Sequence, residues 1–208
     1  MLARQCRGRH RRTFQCVHFL TRALRYGTDL DVTKPYGKQL AKQALAIGAG
    51  GQQLLRFGGG GNDALTYAFN GTRCPTPNST SRRECLNQTW WENMLHFTAA
   101  AGAQMILGVS EPKWEVQPPA VWDSRNAEQL LRWTIDNNLD RILYGLELGN
   151  EVDGLYTGAE QAVNLQALYN LTVRLWPDAS RRPVLLGPDV RVFLCHRFHL
   201  RWKSPSPC

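Results

Sequence analysis

The sequence predicts an α/β fold, a parallel sheet whose strands alternate with crossover helices. Three observations carry this. Short apolar runs alternate with helical patterns from residue 37 to residue 187. The runs are continuously apolar, as strands buried on both faces require. The connections are long enough to hold a helix, which parallel strands need and hairpins do not.

The elements follow in order. Residues 37–47 have helical spacing, with Leu40, Ala41, Ala44 and Leu45 on one face. Residues 53–57 form a short apolar run that breaks at Gly58-Gly59-Gly60-Gly61, as a strand leaving a core into a loop does. Residues 90–101 read as the next helix and 104–109 as a buried strand. Ala127, Leu130, Leu131 and Ile135 mark another helix, and 141–148 a third strand. Thr157-Gly158-Ala159-Glu160 has the spacing of a capping box, in which cap and third residue satisfy each other's free backbone donors. Ala167, Leu168, Leu171 and Leu175 give that helix its apolar stripe, and Pro177 lies just past its end. Residues 183–187 are the fourth strand. A doubly wound sheet and a (β/α)8 barrel both satisfy this order. A barrel needs about 250 residues, so four strands would make about half of one.

Composition fits one domain with a real core: 208 residues, 43% hydrophobic and 20% charged. These values exclude a disordered tail, a collagen and a coiled coil. No apolar run approaches membrane-spanning length. The net charge of +8 is unevenly placed. Residues 1–25 hold seven Arg and no acid, and residues 191–208 hold three Arg, one Lys and no acid. The middle, 26–190, carries 14 basic and 17 acidic residues, a net of −3. The chain therefore divides into a basic segment 1–30 expected to be disordered, a partial (β/α) barrel domain 31–190, and a basic tail 191–208 expected to be disordered. The Arg-rich run 7–12 reads as a solvated leader rather than a nucleic-acid site. Cys195, His196 and His199 lack a fourth ligand, so no metal is expected.

Cys74 and Cys85 lie in the well-behaved middle, among three glycosylation sequons that begin at Asn70, Asn78 and Asn87; a fourth begins at Asn170. This clustering suggests an exposed secretory-pathway loop closed by a Cys74–Cys85 disulfide. Two free thiols in a cytosolic loop is the other reading, since no signal peptide is visible.

The strand 141–148 ends in Leu148-Gly149-Asn150-Glu151. In a parallel barrel the carboxyl ends of the strands form the active-site face. A carboxylate there beside an amide is placed for acid–base work. Glu147 stands four residues before Glu151, so an unbroken strand would point both to one side, with Glu147 deeper and in need of a partner. The plain reading is that Glu151 only opens a polar loop.

Leu146–Glu151 (LELGNE), residues 55–59 (LRFGG) and residues 186–190 (LGPDV), in this order and spacing, resemble the heparanase family of retaining glycoside hydrolases, glycoside hydrolase family 79. The similarity runs from about residue 37 to residue 190. The resemblance implies a (β/α)8 TIM-type barrel with an added β-sandwich, of which about strands two to five are present here. It implies Glu151 as general acid/base and Asn150 as the neighbour that hydrogen-bonds the sugar 2-hydroxyl. It places Gly59, Gly60 and Asp63 at the substrate. The substrate class is glucuronic-acid-containing glycans such as heparan sulfate, with no cofactor. A secreted glycoprotein of the extracellular matrix or lysosome, peripheral to membranes, is the corresponding expectation.

A retaining glycosidase needs a second carboxyl about 5–5.5 Å from the first. The family supplies it from a strand well past the fifth. Asp189 matches a family Asp, but not that nucleophile, and residues 191–208 contain no acid. The isolated chain is therefore expected to be inactive, unless a second chain completes the barrel. Both basic ends read as products of a truncated transcript or a faulty gene prediction, with the first strand lost in front. Three further departures stand out. Gly60 and Gly61 replace a family Thr. Ser110-Glu111-Pro112 replaces an Asn-Ala-Leu run. Val152 replaces a Pro after Glu151. The alternative function is a non-catalytic secreted glycan-binding or decoy fragment. A nucleotide site at Gly58–Gly61 lacks both the phosphate-cradle and the dinucleotide spacing.

Overall fold

The computed structural model describes residues 2–7, 13–20, 28–48, 52–74, 84–111 and 121–189, the first two stretches as backbone. The basic run 8–12, Asn78, Cys195, His196, His199 and the tail 191–208 lie outside the described residues. In chain order the strands and helices are β1 (Leu2–Arg7), β2 (Thr13–Leu20), α1 (Pro35–Ile47), β3 (Gln53–Gly58), β4 (Leu65–Ala68), β5 (Glu84–Asn87) and α2 (Gln88–Ala100). They continue with β6 (Ala103–Val109), α3 (Arg125–Asp136), β7 (Leu143–Leu148), α4 (Gly158–Leu175) and β8 (Val184–Leu186).

Six strands form one sheet in the order β1-β2-β3-β6-β7-β8. β1 is antiparallel to β2, and every later neighbour is parallel. From β2 onward the strands lie side by side in chain order. A doubly wound sheet reverses its order at a switch point; none occurs among the described strands. Right-handed crossovers that always step the same way put their helices on one face. The observed α/β sheet is thus compatible with a segment of a barrel. β2 takes the place of a first parallel strand, where the sequence reading expects neither a strand nor order.

The core lies between sheet and helices. Leu55 and Phe57 on β3, Met105 and Leu107 on β6, and Leu146 and Leu148 on β7 are buried against Ala41, Ala44, Trp91, Leu95, Leu131 and Leu168 of the helices. A register shift pairs Met105 with Leu143 but Ile106 with Gly145. The extra residue at Tyr144 lets both Leu143 and Leu146 join the core. Trp91 is fully buried, and its indole N–H donates to Thr134 Oγ1 at 2.9 Å. The capping box at Thr157 forms as the spacing predicts, with Thr157 N donating to Glu160 Oε2 at 2.7 Å and Glu160 N to Thr157 Oγ1 at 3.3 Å.

Between β3 and α2 the sequence reading expects only a loop. The structure builds a separate parallel ribbon there from β4 and β5. Cys74 and Cys85 are joined, with Cα atoms 5.4 Å apart. Asn126 of α3 grips the ribbon, accepting from Tyr67 N and donating to Tyr67 O, both at 2.8 Å.

Candidate active site

The site is built where β3, β6, β7 and β8 end. Three of these strands turn off through a left-handed glycine: Gly59 at φ 98°, Gly149 at φ 66° and Gly187 at φ 128°. A side chain would be strained at each, which is why each sequence motif carries glycine immediately past its strand.

Arg56 lies at the centre. It sits on β3, on the face away from the helices, and reaches across the sheet. Its Nε donates to Glu147 Oε2 at 2.6 Å and its Nη2 to Asp189 Oδ2 at 2.6 Å. All three side chains are at most a quarter exposed. Burial pushes the Glu147 carboxyl above the usual range, while the Arg56 charge and hydrogen bond act against it. Glu147 is thus deep and paired, as the spacing requires.

Asn150 is buried, and its side-chain oxygen and nitrogen are assigned from its neighbours. So oriented, it donates to Asp189 Oδ2 at 3.0 Å and accepts the Gly60 N–H at 3.3 Å. Glu151 follows, exposed, in the left-handed region at φ 52°, ψ 48°. The strand has already ended at Leu148, so the expectation that one unbroken strand points Glu147 and Glu151 to one side is corrected: the turn at Gly149 sets the direction of Glu151.

Other residues frame this turn. Asn62 Nδ2 donates to Phe57 O at 3.2 Å and to Gly108 O, tying the β3 exit to β6. Asp63 is buried with its carboxylate turned inward. Tyr67 is buried, and its hydroxyl accepts from Ser110 N at 2.7 Å. Burial drives its acidity far down, and nearby Asp63 adds to this. Glu111, just past β6, is fully buried. Its Oε1 accepts from Asn164 Nδ2 at 2.7 Å and its Oε2 faces Gln161 Nε2 at 3.4 Å. Burial raises its carboxyl above the usual range, and the two amides work against that.

The structure therefore brings together Asn150, Glu151, Gly59 and Gly60, and adds Arg56, Glu147 and Asp189. Asp63 stands beside them but inside. Asn70, Asn87 and Asn170 are all exposed, and Asn87 also caps α2 by accepting from Trp90 N. Sequence reasoning passed over Arg56, although a cation in an apolar strand demands partners. It noted Glu111 only as a departure, because its partners lie some fifty residues further on. A cavity of about 450 Å³ lined by Arg141, Arg181 and Arg182 opens at the opposite ends of the strands, away from Glu151. Among the described residues no group of three or more His, Cys, Asp or Glu could hold a metal ion, and no helix is long and apolar enough to cross a membrane.

Chemically, the arrangement offers one exposed carboxyl at a strand end, beside an amide fixed from two sides. Two further carboxyls are already engaged by a guanidinium. Comparison with known families matches residues 32–199 to the N-terminal domain of glycosyl hydrolase family 79. The match begins about five residues before, and ends about nine residues after, the stretch over which the sequence motifs suggest the resemblance. The chain is also similar to Heparanase-like protein 3 of Arabidopsis thaliana, 29% identical over 161 residues. That alignment covers 69% of this chain and 30% of the plant protein.

Proposed function

The chain belongs to glycosyl hydrolase family 79, and from that premise we propose that it carries the acid/base half of a retaining glycosidase that cleaves O-glycosyl bonds of glucuronic-acid-containing glycans such as heparan sulfate. The observation that supports this best is Glu151: an exposed carboxyl at the end of a parallel strand, its neighbour Asn150 held by Asp189 and Gly60. In this reading Glu151 protonates the leaving oxygen and then takes a proton from the incoming water. Asn150 offers its amide to the sugar 2-hydroxyl. The chain-order sheet is a segment of a (β/α)8 barrel, with the sugar bound at the strands' carboxyl ends.

The attacking carboxylate comes from outside the described residues. Glu147 and Asp189 are both bound to Arg56, and displacing either would break a close ion pair. The exposed sequons and the Cys74–Cys85 link support a secreted or lysosomal glycoprotein. The engagement of both nearby carboxyls also favours a second reading, a secreted glycan-binding protein without turnover.

The test is hydrolysis of aryl β-glucuronides by the protein as secreted from cells that express the full reading frame. We expect Glu151→Gln to lower turnover about 10²–10⁴-fold on poor leaving groups. The loss should shrink on good leaving groups, which need no proton. Equal rates for wild type and variant on a poor leaving group would sink the role of Glu151. Saturable heparan sulfate binding without any turnover would favour the second reading.

A further inference from the structure

We propose that Glu111 is a positioning residue for Glu151, holding the left-handed turn from which Asn150 and Glu151 are presented. The proposal rests on the glycosidase reading of Glu151. A carboxyl with zero exposure cannot touch substrate, and an apolar core has no need of one. Burying it is costly unless it is hydrogen-bonded. This one is held by amides: Asn164 at 2.7 Å and Gln161 at 3.4 Å. Both sit on α4, the helix that follows β7 across the Glu151 turn. Glu111 therefore joins the end of β6 to the helix beyond the site.

What lies between is Gly149. A Cβ placed there would come within 2.6 Å of Glu111 Oε2 and 2.8 Å of Val152 Cγ1. Glu111 fills the space beside the turn, and Gly149 N is anchored to Val109 O at 2.9 Å. The backbone just before Glu111 is itself braced, at Ser110. Ser110 N donates to the Tyr67 hydroxyl at 2.7 Å, and Trp122 Nε1 donates to Ser110 O at 3.0 Å. Trp122 N in turn donates to Asn164 Oδ1 at 2.8 Å. Asn164 thus serves the brace with its oxygen and Glu111 with its nitrogen, which leaves its amide a single orientation. Gln161 Oε1 is buried with no partner among the described residues, so its amide too is oriented for Glu111 rather than for itself. A glutamine at 111 has the size and one acceptor oxygen to keep the contact to Asn164. A leucine has neither acceptor nor shape.

The experiment measures kcat and KM on an aryl β-glucuronide, and amide hydrogen exchange, for the secreted full chain and its Glu111→Leu, Glu111→Gln and Asn164→Asp variants. Glu111→Leu should lower kcat about tenfold or more through misplacement of Glu151, with KM within about twofold and exchange faster at residues 149–154. Glu111→Gln should restore most of kcat. Asn164→Asp sets a second carboxyl against Glu111 and should reproduce the loss even where the leucine variant does not fold. Wild-type kcat and wild-type exchange in Glu111→Leu or Asn164→Asp would overturn the proposal. So would exchange accelerated evenly over the whole chain. If wild type shows no turnover, the glycosidase reading fails on its own and exchange still decides Glu111. Acceleration confined to 149–154 and reversed by Glu111→Gln supports the proposal, and its absence overturns it.

Discussion

Glu151 has a left-handed backbone that a non-glycine residue adopts at a cost of about 1–2 kcal/mol. Such strain gathers at functional sites because something other than stability keeps it there. Replacing Glu151 by glycine should therefore raise stability by about 0.5 kcal/mol, after the extra freedom of glycine in the unfolded chain is subtracted. Glu151→Gln, which keeps the strain, should leave the melting temperature near that of wild type. Melting curves of the two variants check this, and a glycine variant less stable than wild type would refute it. Arg56 behaves oppositely. Arg56→Met would strand two mostly buried carboxyls and should destabilise by about 3 kcal/mol, measured by denaturant titration. Glu151 was legible in the sequence because an acid at the end of an apolar strand stands out. Glu111 was not, since nothing in its own neighbourhood names Asn164 or Gln161 as its partners.

At the scale of elements, the helices and the four later strands were legible to within a residue or two. Their apolar runs are long, and their ends carry chemistry that can be read, such as the Thr157 box. Thr157→Ala should cost about 1 kcal/mol, visible as a lower denaturant midpoint with an unchanged slope. The β4–β5 ribbon was not legible. Its strands are four residues long, and their pairing depends on Asn126 and on the Cys74–Cys85 link. Closing a loop of this size restricts the unfolded chain by about 3 kcal/mol in the chain-entropy view. Cys74→Ser with Cys85→Ser should lower stability by up to that amount and speed proteolysis of the β4–β5 ribbon, and gel assays of nicking would show it. Nicking at an unchanged rate would mean that the ribbon is held unaided by Asn126 and by Gln129, whose Oε1 accepts from Thr72 Oγ1 at 2.6 Å.

For the whole molecule, alternation of strand and helix predicted a parallel sheet, but not the order of its strands. Only the structure separates a chain-order sheet from one that reverses. β2 escaped notice because its run of Thr13, Gln15 and His18 among apolar residues sits in a segment dominated by arginine. Stability as a function of pH is another property of the whole. Asp123 and Glu128, held by arginines, sit below their usual range and contribute less as pH falls through it. Glu111 and Glu147 sit above theirs, so their charged forms cost stability, and that cost is relieved as pH falls towards the ordinary glutamate range. Relative to wild type, Glu111→Gln should therefore become more stable as pH rises from about 4 to 8. A melting-temperature difference that stays flat across this span would show that Glu111 does not titrate against the fold.

Arg56 pairs with residues 91 and 133 positions further along the chain. During synthesis it is in place long before either partner exists. Its ion pair with Glu147 cannot form until β7 arrives, and its ion pair with Asp189 cannot form until the segment after β8 arrives. Each strand is added at the edge left by the one before, so a slip of register at any of them would carry Glu147 or Asp189 out of reach. Both ion pairs therefore form together only when these strands are joined in the right alignment. Asn150 donates its hydrogen bond to Asp189 at the same moment, so the turn that carries Glu151 is set when the segment after β8 arrives.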